Sequence, residues 1–176
     1  EKFSNKVEKI IINSGIGRLS QRAHFEEKIL PEIEAELSQV TGQKASRVAA
    51  KKSIAGFKIR EGDIVGLKTT LRGKRMENFF QRVVNVALPR VKDFRGLEIS
   101  VVDEGGNLNI GLQDQYVFPE IDQNESKISF GLQITVVAKK RERDEMIDFY
   151  REYKVPLKAE EESKEKKTPS TEIDKG

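Results

Sequence analysis

The apolar residues in the first half of the chain recur with a period of two in some segments and of about 3.6 in others, which predicts strands and helices. Residues 6–15, KVEKIIINSG, predict a strand, and residues 25–41 predict an amphipathic helix that ends at Gly42. Alternation returns over residues 63–71, and helical spacing follows over residues 76–87, up to a proline. The order is strand, helix, strand, helix.

The following part of the chain is rich in strand patterns. Residues 96–112, GLEISVVDEGGNLNIGL, predict two strands joined by a turn at residues 105–107. Residues 126–140 predict one longer strand, and residues 141–153 predict a short closing helix. This order predicts an α+β fold, with a mostly antiparallel sheet and helices packed on one face. A sheet with one face free of helices is a common platform for nucleic acids.

The composition changes near the end of the chain. Residues 158–176 have almost no apolar side chain and are rich in Glu, Lys, Ser and Thr. Such a segment buries too little surface to offset the entropy lost on ordering. We therefore expect one α+β domain over residues 1–157, followed by a charged, disordered tail over residues 158–176.

Charge is distributed unevenly along the 176 residues, although the net charge is only +3. Residues 44–95 hold 14 lysines and arginines against four acids, a net charge of +10. Residues 96–138 hold one lysine against seven acids, a net charge of −6. The basic block predicts a surface for a polyanion, and a purely solubilising face is the alternative.

The composition also bears on which classes of chemistry the chain supports. Cysteine is absent, so there is no disulfide framework and no thiolate zinc site, which fits a reducing compartment. His24 is the single histidine, so a multi-histidine metal site is excluded, and the sequence pattern indicates no serine–histidine–aspartate arrangement. No apolar run approaches the roughly 20 residues of a membrane helix. We expect a cytoplasmic protein without a membrane anchor, catalytic residues, metal or cofactor.

Small polar side chains near the ends of the predicted elements are candidates for contacts with folded RNA, because they can hydrogen-bond to ribose hydroxyls and base edges. Asn13 closes the first strand, Gln43 follows the first helix, and Thr69 and Thr70 lie in the second strand. Each of them could equally be a helix cap or an ordinary strand residue.

A basic loop, KKSIAGFKIREGD, occupies residues 51–63. Two glycines bracket FKIRE, so its backbone can be mobile and can approach a partner closely. Phe57 could stack on a base or a ribose while Lys58 and Arg60 meet phosphates. In the alternative, Phe57 folds back onto the core.

Four motifs in the chain resemble those of one protein family and occur in its order: KKSIAGFKIREGD, TLRGKRMENFF, ALPRVKDFRGL and FPEID. They are similar to the L-five family of large-subunit ribosomal proteins, the bacterial-type binders of 5S ribosomal RNA. The resemblance runs from about Val7 to about Leu157. It implies a structural, non-catalytic protein in the central protuberance of the large ribosomal subunit.

The resemblance also implies roles for individual residues. In the family, residues matching Asn13, Gln43 and Thr70 contact 5S RNA. We expect four cations of the basic block to share that surface: Lys44, Arg47, Lys68 and Arg72. The loop resembles the family's extended loop that reaches peptidyl-site transfer RNA. Its expected contact residues are Ser53, Gly56, Phe57, Lys58, Ile59, Arg60 and Gly62.

The partners implied by the resemblance are 5S ribosomal RNA, large-subunit ribosomal RNA, peptidyl-site transfer RNA, neighbouring large-subunit proteins and a small-subunit head protein in an intersubunit bridge. Three alternatives stay open at the level of sequence. The chain could be a generic structured-RNA-binding protein outside the ribosome. It could be a small enzyme using SGIGR, residues 14–18, as a phosphate cradle, or a protein adaptor using the acidic residues 96–138.

Overall fold

A computed structural model describes residues 2–139 and 142–159 of the chain. Its centre is a five-stranded antiparallel sheet in the order β2-β3-β1-β5-β4. The strands are β1 (Val7–Gly15), β2 (Ser46–Ala49), β3 (Ile64–Leu71), β4 (Leu108–Leu112) and β5 (Leu132–Ala138). The predicted antiparallel α+β fold is confirmed.

Helices precede and follow these strands. They are α1 (Phe3–Lys6), α2 (Leu30–Thr41), α3 (Gly73–Arg82), α4 (Leu88–Arg90) and α5 (Arg143–Glu152). A π-helical turn, Phe25–Ile29, leads into α2, and another, Val83–Ala87, joins α3 to α4. The second helical stretch therefore continues through Pro89, one turn further than predicted. Pro89 lies directly after the π-helical segment and within α4.

The two faces of the sheet have different surroundings. On the helix face, Ile10, Ile12 and Leu67 are buried, with α2 packed on β3 and α3 packed on β1. The opposite side, which we call the open face, presents the alternate residues of each strand. These are half-buried or exposed at Lys9, Ile11, Asn13, Lys68, Thr70, Gln133, Thr135, Val137, Asn109 and Gly111. The prediction of helices on one face is confirmed.

The first of the two strands predicted over residues 96–112 is absent. Ile99–Val101 forms a 3-10 turn, and Val102 makes only an isolated bridge to Leu108 before β4 begins. The Arg143 guanidinium donates to the carbonyls of Ile99 and Val102 at 3.2 and 3.1 Å, so these groups are paired with a side chain instead of a strand. The predicted turn at residues 105–107 is present.

The long strand predicted over residues 126–140 is also shorter than expected, since β5 begins only at Leu132. The fully buried Gln115 explains the difference. Its Nε2 donates to the Ile128 carbonyl at 2.7 Å, and its Oε1 accepts from the Phe130 N–H at 3.1 Å. The Gln115 side chain thus replaces a neighbouring strand as the hydrogen-bond partner of this stretch of main chain. Ile128 and Phe130 remain buried.

The short edge strand β2 was not predicted. All four of its residues are exposed, so it shows no alternation of apolar and polar positions. At the other end, the predicted tail falls largely on residues 160–176, outside the described residues. Lys158 is described, and its N–H donates to the Leu97 carbonyl at 2.9 Å. No helix in residues 2–139 and 142–159 is long and apolar enough to cross a bilayer.

Candidate nucleic-acid interface

The strand register aligns polar side chains across the open face. One cross-strand row contains Ser46, Lys68, Asn13, Gln133 and Gly111, in the order β2 to β4. The next row contains Thr70, Ile11, Thr135 and Asn109. Adjacent strands lie about 4.8 Å apart, so the first row spans roughly 19 Å. Neither row contains an acidic residue.

Three of the predicted 5S RNA contacts come together on this face. Asn13 lies directly opposite Lys68, and Thr70 lies opposite Ile11 in the adjacent row. Lys68 is exposed, whereas Asn13 and Thr70 are half-buried. The arrangement offers an amide, a hydroxyl and a cation to one ligand. Thr69, the fourth polar candidate, faces the core and is buried.

Gln43 reaches the same region from the end of α2. Its Nε2 donates to the Thr70 carbonyl at 3.1 Å, while the Ser46 hydroxyl donates to the Lys68 carbonyl at 3.0 Å. Both bonds lie on the edge of β3 that faces β2. β2 begins only at Ser46, opposite Lys68, so the Gln43 side chain supplies the hydrogen bond to β3 at Thr70 that β2 does not reach. Lys44, the next residue, is exposed.

Arg47 is not brought together with these residues. It pairs with the buried Leu67 in register and therefore projects from the helix face. Its Nε and Nη2 donate to the two carboxylate oxygens of Glu34 at 2.6 and 3.0 Å. This hydrogen-bonded guanidinium holds the pKa of the Glu34 carboxyl below its usual range, against a smaller opposing effect of burial.

Arg72 lies just beyond β3, where its Nη1 is 3.5 Å from a carboxylate oxygen of Glu8. Lys9 contacts the same carboxylate oxygen at 3.3 Å. The pKa of Glu8 is lowered, chiefly by the hydrogen bond from Lys9 and secondarily by Arg72. Arg72 therefore marks the far border of the polar rows, where an acid partly offsets its charge.

The basic block does not form the single surface that its sequence predicts. Lys68 lies on the open face, and Arg47 lies on the helix face. Arg82 donates to the Val40 carbonyl at 2.8 Å and forms an ion pair with Glu120. Exposed cations of the loop form a separate group: Lys51, Lys52, Lys58 and Arg60. The cations are thus divided among different sides of the fold.

The loop joins β2 to β3 and has an ordered hydrogen-bond network. Ile54 and Ile59 exchange main-chain bonds at 2.8 and 3.2 Å. The Ser53 hydroxyl accepts from the N–H of Glu61 at 2.9 Å, and the main chain turns at Gly62 with φ 94°. These bonds close a small hairpin within the loop.

The side chains of the loop divide into an anchor and an exposed tip. Ile59 is half-buried and packs towards Gly17, where its Cδ1 lies 3.5 Å from the position of an added Cβ. The Gln21 amide donates to the Phe57 carbonyl. Phe57 itself is 63% exposed, so the alternative that it folds back onto the core is wrong. Gly56, beside it, has open space around it.

The possible phosphate cradle at residues 14–18 is a closed turn. The Ile16 N–H donates to the Val65 carbonyl at 3.0 Å, and the Ile16 carbonyl accepts from the N–H groups of Leu19 and Ser20. Within residues 14–18 the Ile16 amide is therefore paired internally, and so are the amides of the adjacent Leu19 and Ser20. Within the described ranges, no group of three or more acidic or histidine side chains is arranged to hold a metal ion.

Comparison with known proteins identifies the family of the chain. The family model described as "Ribosomal protein L5" matches residues 5–60, and the model of the C-terminus of the same ribosomal family matches residues 64–157. The large ribosomal subunit protein uL5 of Sulfurimonas denitrificans is 50% identical over 131 residues, which cover 74% of this chain and 70% of that protein. The protein uL5c of Paulinella chromatophora is 42% identical over 162 residues, which cover 89% of this chain and 88% of the relative. The chain therefore belongs to the L5 family of large-subunit ribosomal proteins, which are structural components of the ribosome and not enzymes.

Proposed function

We propose that this large-subunit constituent binds 5S ribosomal RNA through the open face of its sheet and contacts peptidyl-site transfer RNA through the basic loop. It does so in the central protuberance of the subunit. Contacts with large-subunit ribosomal RNA, neighbouring proteins and a small-subunit head protein belong to the same proposal.

The observation that carries the RNA-binding role is the uncovered, acid-free pair of polar rows. Side-chain amides and hydroxyls can hydrogen-bond to ribose 2′-hydroxyls and base edges, which recognise RNA, whereas lysine meets phosphates. Asn13, Thr70 and Lys68 supply one group of each kind on neighbouring strands. A buried core on the opposite face holds these strands in register, so the groups are positioned before RNA arrives.

The loop supports the second contact. It presents the exposed Phe57 beside Lys58 and Arg60, which suits stacking on a base or ribose together with phosphate contacts. Ile59 and the internal hydrogen bonds fix the tip relative to the sheet. The loop leaves the sheet at the Gly66 end of β3, beyond the polar rows, and this position suits contact with a second RNA.

Binding of a 5S RNA transcript to Asn13→Ala and Thr70→Ala tests the first contact. Each substitution is expected to weaken binding by about 1–2 kcal/mol, the scale of a lost hydrogen bond. Asn85→Ala, an exposed asparagine of the second helical stretch, is the matched control and should bind like the wild type. Wild-type affinity of both test variants would remove the polar rows from the site.

The generic RNA-binding alternative predicts a different selectivity. A protein that binds mainly by charge shows little preference between 5S RNA and an unrelated structured RNA, and its affinity falls steeply with salt. The proposed function predicts a clear preference for 5S RNA at moderate salt. Equal affinities for the two RNAs would favour the generic binder.

A further inference from the structure

The turn that follows β1 lies against the basic loop. It comprises residues 17–21, that is, the last two residues of the SGIGR motif and the 3-10 turn Leu19–Gln21. We call these five residues the anchoring turn. The Ile16 N–H just before it is bonded within the protein, so the motif does not serve as a phosphate cradle. The contacts between this turn and the loop indicate another role.

The anchoring turn is firmly attached to the core of the domain. Ile16, the residue before it, is fully buried, and its N–H donates to the Val65 carbonyl of β3 at 3.0 Å. The Ile16 carbonyl accepts from the N–H groups of Leu19 and Ser20, and the Ser20 hydroxyl donates to the Gly17 carbonyl at 2.6 Å. Leu19 packs against the hydrophobic core. The turn is therefore a fixed element to which a loop can be attached.

Two contacts join the basic loop to the anchoring turn. The Ile59 side chain lies over Gly17, where its Cδ1 is 3.5 Å from the position that an added Cβ would occupy. The Gln21 side-chain amide donates to the Phe57 carbonyl. The apolar contact and the hydrogen bond thus involve the two neighbours of Lys58, whose main chain is left-handed with φ 53°. Both sides of this exposed cation are tied to the same turn.

The bonds inside the loop fix its shape but not its direction. Ile54 and Ile59 exchange main-chain bonds, and the Ser53 hydroxyl accepts from the N–H of Glu61. All of these groups belong to the loop, so they would move together if the loop turned about its base, where Ala50 bonds to residues 62 and 63. By contrast, the contacts with the anchoring turn connect the tip to a separate element of the fold.

We propose that the anchoring turn orients the basic loop towards its RNA partner, with Gln21 and Ile59 as positioning residues. This inference rests on the proposed transfer RNA contact. Both residues act through Phe57 and Lys58, the exposed side chains that lie beside their contacts. A loop that is already held in its binding direction loses less conformational freedom on binding, so the complex is stronger without any added contact. Ile59, which the resemblance places among the contact residues, has this positioning role instead.

A distance measurement between two spin labels tests the orientation of the loop directly. The chain has no cysteine, so Lys58→Cys in the loop and Gln81→Cys on α3 give a doubly labelled protein with both labels at exposed positions. We expect a narrow distribution of label separations in this starting protein. Gln21→Met keeps the length of the side chain and removes the N–H donors, so it should broaden the distribution. Ile59→Ala, which removes the apolar contact, should broaden it as well.

Matched variants control for the loss of a side chain as such. Ile54→Ala truncates the isoleucine that pairs with Ile59 across the loop, but the Ile54 side chain is exposed. Gln123→Met changes an exposed glutamine between β4 and β5. Both should keep the narrow distribution. Ile59→Leu, which retains an apolar side chain of the same size, should also keep it.

The functional consequence is measured with ribosomes that carry each variant without labels. Gln21→Met and Ile59→Ala should each bind transfer RNA about threefold more weakly, and the double variant about tenfold, the scale of one and two weak interactions. Affinity for a 5S RNA transcript should stay close to that of the wild type, because the anchoring turn lies beyond the polar rows. The unfolding midpoint should also be unchanged, whereas a purely structural defect would lower it.

The outcomes separate this inference from the proposed function. If Gln21→Met and Ile59→Ala leave the distribution of label separations as narrow as in the starting protein, the turn does not orient the loop and the inference is wrong. If they broaden it without weakening transfer RNA binding, while Lys58→Glu/Arg60→Glu does weaken that binding, the transfer RNA contact stands and the positioning role is wrong. If the charge reversal has no effect either, the proposed transfer RNA contact fails as well.

Discussion

The side-chain amide nitrogen of Gln43 lies 3.1 Å from the main-chain carbonyl oxygen of Thr70, 27 residues further along the chain. The bond ties the segment after α2 to the edge of β3. The resemblance implies that both residues contact 5S RNA. In this structure the Gln43 side chain is also bonded to β3, the strand that carries Thr70. The Gln43 nitrogen is therefore part of the scaffold, and its Oε1 is the atom left to meet RNA.

Gln43→Glu is expected to destabilise the protein as well as weaken RNA binding. It places a carboxylate oxygen where an N–H donor now faces the Thr70 carbonyl, so the bond is lost and two acceptors oppose each other. We expect a loss of about 1–2 kcal/mol in the free energy of unfolding, measured by urea denaturation at neutral pH. Gln81→Glu, at an exposed position of α3, controls for the added charge. Unchanged stability of Gln43→Glu would show that the bond contributes nothing.

Reversal of the loop charges in Lys58→Glu/Arg60→Glu is expected to separate the two RNA contacts. The loop lies beyond the end of the sheet, so affinity for isolated 5S RNA should stay within about twofold of the wild type. Transfer RNA binding by ribosomes that carry the variant should fall about tenfold or more, since two attractive phosphate contacts become repulsive.

The control for the loop variant is Lys127→Glu/Arg151→Glu, which reverses two cations outside the basic block. It should leave both RNA contacts unchanged. A large loss of 5S RNA affinity in the loop variant alone would show that the loop and the open face bind one RNA together.

Thr69→Val is expected to leave stability unchanged or to raise it by up to about 1 kcal/mol. The Thr69 hydroxyl is buried on the helix face and has no hydrogen-bond partner among the described residues. Valine keeps the β-branched shape that suits a strand and removes the buried polar atom. Urea denaturation should give an equal or higher midpoint. A clear loss of stability would show that the hydroxyl is satisfied in solution, for example by a buried water.

The sequence predicted the elements whose apolar residues follow a clear period. The strand at residues 6–15 and the helix at residues 25–41 each have one buried side and one side that is half-buried or exposed. It missed β2 because an edge strand without a buried residue carries no such signal. It placed extra strand over residues 126–131 because the partner of that backbone is one side chain, Gln115, which lies far enough away in sequence to leave no local trace.

The site was predictable only in part, for the same reason. The resemblance supplied Asn13 and Thr70, and the structure places both on the open face. The position of Arg47 on the helix face could not be predicted, because the sequence did not reveal the strand that carries it. The position of Gln133 opposite Asn13 could not be predicted, because it depends on strand register, which no local pattern specifies.

The Arg47–Glu34 pair is expected to act on acid stability and not on RNA binding. The Glu34 pKa is lowered below its ordinary value of 4.5 by the hydrogen bond from Arg47. A carboxyl whose pKa is lower in the folded than in the unfolded state stabilises the fold above its unfolded pKa, and this contribution is lost as pH falls through the folded pKa.

Arg47→Ala and Glu34→Gln should therefore each be less stable than the wild type at neutral pH. The difference should shrink below about pH 4.5 as the wild-type carboxyl becomes protonated. Urea denaturation between about pH 7 and about pH 3 measures this convergence, with Glu77→Gln as a control carboxyl on α3. Arg47→Ala should also bind 5S RNA like the wild type, because its guanidinium projects from the helix face. A loss of RNA affinity comparable to that of Asn13→Ala would mean that the RNA extends around the β2 edge, and the open face would no longer define the limits of the site.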